Sequence, residues 1–146
     1  MKTRTLLLLS VACGLIILLA GGFKLLQVAS DRTEVPVLSI GGETRIGDMT
    51  VRVESITTTE IGTETRVAMA GVPGELAVDG WRLLGDGEVA EPFTTVGEST
   101  AGDAVCDART TVPESGEVVC VVRFPSVETV QAVAYTRAGE QRQWAP

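Results

Sequence analysis

The chain has 146 residues, with 12 Lys+Arg against 19 Asp+Glu and no His, a formal net charge of −7. That length allows one ordinary domain. The acidic balance argues against a nucleic-acid partner, which needs a basic face for the phosphates, and the missing His removes the commonest general base and metal ligand, and with them His-dependent triads and most zinc sites.

The first feature in chain order is an uncharged run of 18 residues, Leu6 to Phe23. As a helix it spans about 27 Å, close to the roughly 30 Å of a bilayer core. It extends past Lys24 to Val28, because a lysine near a helix end can snorkel to the headgroups. Lys2 and Arg4 precede the run, and the chain beyond it is acidic. The positive-inside rule therefore predicts residues 1–5 in the cytoplasm, residues 6–28 as a single transmembrane anchor, residues 29–35 as a tether, and residues 36–146 as a domain outside the cell membrane. Ala20-Gly21-Gly22 and Val28-Ala29-Ser30 satisfy the small-x-small pattern of signal cleavage, so the same run also reads as a signal segment. Its length, and the apolar residues that return after Phe23, favour the anchor. Cys13 reads as a small apolar helix residue rather than a lipidated one, since Leu9 lies one position too early for a lipobox.

Beyond residue 30 the chain carries all 19 acids and nine arginines, a net −10. Pro36–Ile40 reads as a short strand and Gly41–Asp48 as a turn region. Met49, Val51 and Val53 alternate with Thr50, Arg52 and Glu54, which marks a strand with one buried face. Thr63–Val72 alternates less cleanly and stops at Pro73-Gly74. Asp79–Gly87 places Trp81 and Leu83 on one face and ends in an Asp-Gly turn. Glu88–Val96 reads as a short or edge strand, because Pro92 cannot donate to a ladder. Residues 97–116 form a Gly/Ser/Asp/Pro-rich loop. Val118–Phe124 is the strongest strand: Val118, Cys120, Val122 and Phe124 face one way, Val119, Val121 and Arg123 the other, and so apolar a run predicts a central position. Glu128–Arg137 is the last long strand, and Glu140–Pro146 closes the chain. About seven short strands with no helical period beyond the anchor predict an all-β fold, an immunoglobulin-like antiparallel sandwich of two sheets, with an open barrel as the rival.

Cys106 and Cys120 are the two cysteines outside the apolar run. In an oxidising compartment they are expected to form a structural disulfide. It would close a loop of about 15 residues, worth about 3 kcal/mol in the chain-entropy account. A redox pair would ordinarily show a Cys-x-x-Cys spacing at a helix start. The loop acids Asp79, Asp86, Glu88, Asp103 and Asp107 are weighed as a calcium site, but no Asp-x-Asp-x-Asp-Gly string is present and turns use Asp for local hydrogen bonds. Gly97–Ala101 lacks the second Gly, the helix and the His of a nucleophile elbow, and reads as a loop. Trp81 is a core candidate, as is Trp144 unless it serves as a surface recognition residue. No catalytic, cofactor-binding or metal-ligating residue is assigned.

The segments Ile46–Thr59, Trp81–Phe93 and Val112–Pro125 resemble the telokin-like, immunoglobulin-fold extracytoplasmic domains of small bacterial membrane-anchored proteins and lipoproteins. In these a Gly-Asp turn leads into an alternating Val strand, and a Pro/Gly-led strand ends in Phe-Pro. The resemblance covers about residues 38–136, the size of such a sandwich. It implies a fold and a surface location, and no catalytic residues.

Two function classes follow. One is a membrane-tethered, non-enzymatic binding or accessory module of the cell envelope, offering loops or an edge strand to another envelope protein, or docking as a subunit of a membrane complex. The other is a carboxylate-dependent hydrolase such as a glycosidase, which needs two acids facing each other across a cleft. A closed, shallow surface would favour the first and a carboxylate-lined groove the second.

Overall fold

The computed structural model describes residues 2–30 and 34–146. The chain divides into two compact units, Met1–Glu34 and Val35–Pro146. Residues 31–33 of the expected tether, and Asp31 as a mature N-terminus, lie outside the described residues.

The first unit is a helix, α1 (Lys2–Ser30), longer than the expected 6–28 span at both ends. Its stretch Thr3–Gln27 has a mean hydropathy of 2.6, and by length and composition it suffices to cross a membrane. The Ser10 hydroxyl donates to the Leu7 carbonyl at 2.9 Å, which satisfies it within the helix. Cys13 is an exposed free thiol.

The second unit is a sandwich of two sheets. Its strands are β1 (Val37–Ser39), β2 (Glu43–Ile46), β3 (Met49–Thr59), β4 (Gly62–Ala70), β5 (Trp81–Gly85), β6 (Glu88–Ala90), β7 (Val118–Phe124), β8 (Val130–Arg137) and β9 (Glu140–Ala145). One sheet has the order β1-β9-β8-β5-β6, the other β2-β3-β4-β7. All pairings between strands are antiparallel except that of β1 with β9, which runs parallel with Val37 opposite Gln143.

The expected sandwich is thus present, with nine strands among the described residues instead of about seven. The two additions are β2, inside the expected turn region, and β9, in the closing segment. β2 alternates Thr44 and Ile46 inward with Glu43 and Arg45 outward, and only Ile46 is fully buried. β6 ends before Glu91-Pro92, as the missing proline donor requires.

The expectation of a central Val118–Phe124 strand is corrected: β7 is the last strand of its sheet. Its free edge is nevertheless paired. Residues 104–106 lie along its free side, with Val121 N–H donating to Ala104 O at 2.8 Å and Cys106 N–H to Val121 O at 2.9 Å. Those bonds cover an edge that would otherwise be open to pairing with another chain.

The core lies between the sheets. Trp81, Trp144, Phe124, Ile46, Met49 and Leu83 are fully buried there. The two indoles lie 5.9 Å apart and Tyr135 packs 4.8 Å from Trp81. Each indole N–H has a partner, Ala77 O at 3.1 Å for Trp81 and Gly42 O at 2.7 Å for Trp144, so burial leaves no donor unpaired. Trp144 is therefore a core residue like Trp81, not part of a recognition surface.

The sandwich has two distinct ends. At one, the β2–β3 and β8–β9 turns approach each other, and Arg137 binds both Asp48 and Glu75. The chain joins the sheet from this side, where Gln143 N–H donates to Pro36 O at 3.2 Å and β1 runs on toward Ala145. The other end holds the β3–β4 and β5–β6 turns. There the Asp86 carboxylate accepts the backbone N–H groups of Glu128 and Thr129 at 2.9 and 2.8 Å.

Candidate functional site

The disulfide Cys106–Cys120 forms, with Cα atoms 5.2 Å apart and both cysteines buried. It ties the long loop to β7. Upstream, Phe93 N–H donates to Arg123 O at 2.8 Å, so the loop meets the free edge of β7 at residue 93 as well as at residues 104–106. Arg123 points away from the core on that strand. Its Nη2 donates to Thr95 O at 2.9 Å, and a Cβ on Gly97 would sit 2.5 Å from the guanidinium. A larger residue at position 97 would have to displace the guanidinium.

This wrapping leaves apolar side chains facing outward. Phe93 is 42% exposed and Val96 69%; Ile61, at the tip of the β3–β4 turn, is 82% exposed, and Val89 on β6 is also exposed. Exposed apolar residues gathered at one end need an explanation that single scattered ones do not. Ile61 and Phe93 meet over a small pocket of about 40 Å³ that also borders Thr63, Glu64, Arg123 and Phe124. Thr63 is fully buried and its Oγ1 has no hydrogen-bond partner within the chain; the buried Nε of Arg123 is also unpartnered. Buried polar atoms are normally paired. The Glu64 carboxylate is held by the N–H and hydroxyl of Thr100, both at 2.9 Å.

The charges are distributed unevenly. On the outer face of the four-stranded sheet Arg52 reaches Glu43, Glu54 and Glu117, and Arg66 reaches Glu54 and Asp103. The bond from Arg52, helped by Arg66, holds the Glu54 carboxyl below its ordinary range, and Arg137 does the same for Asp48. Around the exposed apolar end, by contrast, Glu60, Glu88, Glu98 and Glu128 are exposed and have no cation within 4 Å among the described residues. Arg82, the nearest other arginine in the chain to Glu88, is paired with Glu91 at 3.2 Å.

The loop acids singled out from the sequence do not converge. Asp86 caps the β7–β8 connection, Asp103 pairs with Arg66, and Asp107 accepts the N–H groups of Arg109 and Thr110 at 2.8 and 3.0 Å. Those backbone donors lower the Asp107 pKa. Among the described residues no group of three potential ligands is placed to hold a metal ion. Ser99 lies in a loop, its hydroxyl donating to Asp103 O at 3.0 Å. Asp79 and Glu91 share a depression of about 310 Å³, but both are exposed. The meeting of Ile61 and Phe93 has no counterpart in the sequence reading. Lone apolar residues in turns show no period, and their meeting depends on the wrapping of β7.

Comparison with protein-family models and with curated proteins finds no match. Among solved structures, the domain is similar to MPT63, a secreted protein of Mycobacterium tuberculosis, with a TM-score of 0.58 and 15% identity. The likeness covers 78% of this chain and 99% of that one. At this identity it concerns the fold alone: both are β-sandwiches.

Proposed function

We propose that the chain is an extracytoplasmic β-sandwich of the bacterial cell envelope, tethered by α1 with its N-terminus in the cytoplasm, that works as a non-enzymatic binding or accessory module for another envelope protein. The immunoglobulin-like, telokin-like grouping belongs to this reading and agrees with the two-sheet sandwich. The apolar helix and the disulfide support the location, since disulfides persist in oxidising compartments. One observation carries the function: exposed Ile61, Val89, Phe93 and Val96 gather at the end of the sandwich opposite the side where the chain joins it.

The hydrolase reading has weaker support. A glycosidase acid needs an apolar, desolvated setting to hold its proton at neutral pH. Asp79 and Glu91, which share the depression on β5, are exposed, and Glu91 is bound to Arg82.

A photo-crosslinking residue at position 61, compared with one at position 142 on β9, tests the reading in native membranes. The expected result is a discrete adduct from position 61 that position 142 does not give. Adducts of equal yield from both positions, or none from 61, would overturn it.

A further inference from the structure

We infer that residues 104–106 guard the edge of β7, latched there by the Cys106–Cys120 disulfide, and that a domain without the disulfide releases them and pairs β7 with β7 of a second copy. The backbone dictates the geometry. Alternate residues of a strand turn their N–H and C=O groups to the same side. Val121 turns both of its groups away from β4, to Ala104 O and the Cys106 N–H, and Arg123 O turns the same way, to the Phe93 N–H. Val119 therefore shares that side. Among the described residues, the 93–106 segment bonds both groups of Val121 and the carbonyl of Arg123, and reaches neither Val119 nor the Arg123 N–H. Between the guard and β7 the ladder is a single parallel bridge, Val105 beside Val121.

A second copy completes this edge. About a two-fold axis at Val121, each Val121 exchanges both bonds with its mate, and Val119 of one copy exchanges both with Arg123 of the other. Every outward backbone group of these residues then has a partner, which the guard does not achieve. Val118–Phe124 is also rich in valine and carries one charge, the composition of a strand that pairs readily once its edge is open.

The disulfide decides between the two arrangements. The guard's nearest side-chain ties, Asp103 to Arg66 and Thr100 to Glu64, reach into solvent, where such bonds hold weakly. The covalent tie between buried Cys106 and Cys120 keeps the guard against β7 whatever those bonds do. Closing the latch is thiol–disulfide exchange with a protein disulfide donor: the two thiols give up two protons and two electrons, and the donor leaves as a dithiol. Burial then keeps the sulfurs from other thiols, so the latch is set while the domain folds.

The test uses the full chain carrying Cys13→Ser in detergent micelles, in three forms: disulfide intact, Cys106→Ser/Cys120→Ser, and Cys106→Ala/Cys120→Val, whose apolar replacements suit the buried site. Sedimentation should give one chain for the first form and two for the others, with association tighter by about tenfold or more. The Val119 amide should exchange with solvent in the intact form and gain protection in the open ones. In the open forms Val119→Glu, facing Arg123 of the second copy, should tighten association several-fold and Val119→Lys should weaken it; the intact form should respond to neither. Equal association with and without the disulfide would overturn the inference. So would a dimer in which Val119 stays unprotected or the charge at position 119 has no effect. Loss of the β-rich circular dichroism spectrum in both cysteine-free forms would overturn it too, because no folded open state would then exist.

Discussion

Phe124 is fully buried at the end of β7, whereas Phe93 is 42% exposed beside it. Truncating the first removes transfer energy and leaves a cavity, so Phe124→Ala should cost about 3–5 kcal/mol. A domain of this size has about 5–10 kcal/mol in total, which brings that variant close to unfolding. Phe93→Ala should cost markedly less. Urea unfolding of the domain, residues 31–146, ranks the two, and the opposite order would contradict the core described above. Tyr135 offers a second residue-scale measurement, because it is the chain's one tyrosine. Burial raises its pKa above the ordinary 10.0, by favouring the uncharged phenol. A raised pKa means that the stabilisation from this residue is complete below pH 10 and fades as the pH climbs through the folded value. Phenolate absorbance should therefore titrate above pH 10 in the folded domain and return to about 10 in urea. A folded midpoint at or below the unfolded one would place Tyr135 in water.

At the scale of elements, the disulfide and the 93–106 segment act on β7 together. The double variant Cys106→Ser/Cys120→Ser should lower stability by about 2–4 kcal/mol and keep a β-rich circular dichroism spectrum. It should also loosen the segment that covers the β7 edge, seen as faster amide exchange at Val121 and at position 106. Unchanged exchange there would mean that the hydrogen bonds alone hold the loop. The ion-pair row on the outer sheet face sets the acid response. Glu54, Asp48 and Asp107 have lowered pKa values, so the unfolded chain takes up protons on these carboxyls before the folded one does. Their contribution is present above the ordinary carboxylate pKa values of about 4 and is lost as the pH falls through the lower folded values. Melting temperature should accordingly fall below about pH 4, and Glu54→Gln should flatten that fall.

Much of this layout was legible in the sequence, and the exceptions have physical causes. Met49–Val53 and Val118–Phe124 announced themselves because one face of each is buried, which forces a period of two. β9 did not, since within Glu140–Ala145 only Trp144 is buried and no alternation can register. β2 carried its alternation over four residues between Gly42 and Gly47, where glycine reads as a turn. The apolar run of β7 was visible, but its second neighbour is a loop segment some 15 residues upstream rather than another strand, and strand composition does not distinguish the two. The meeting of Ile61 and Phe93 was hidden for a similar reason. Ile61 and Phe93 lie far apart in sequence and meet because the Phe93 N–H pairs with Arg123 O at the end of β7.

At the scale of the whole molecule, the 29-residue helix and the sandwich divide the labour between location and recognition in the function proposed here. If α1 remains as an anchor, protein taken from native membranes should begin at or next to Met1 on N-terminal sequencing and partition with the detergent phase. A mature chain that begins at Phe23 or Asp31 would make α1 a signal segment and the domain a secreted one. The parallel pairing of β1 with β9 has a mechanical consequence. β1 enters from the side of the β8–β9 turn and runs toward the opposite end, where the exposed apolar residues lie. A pull between the helix and a partner held at that far end would act along β1, not across it. Its backbone rungs to β9 would then bear the load together, as in a sheared lap joint, instead of opening one at a time like a zip. The indole bond from Trp144 to Gly42, just beyond β1, adds a latch on the same line of force.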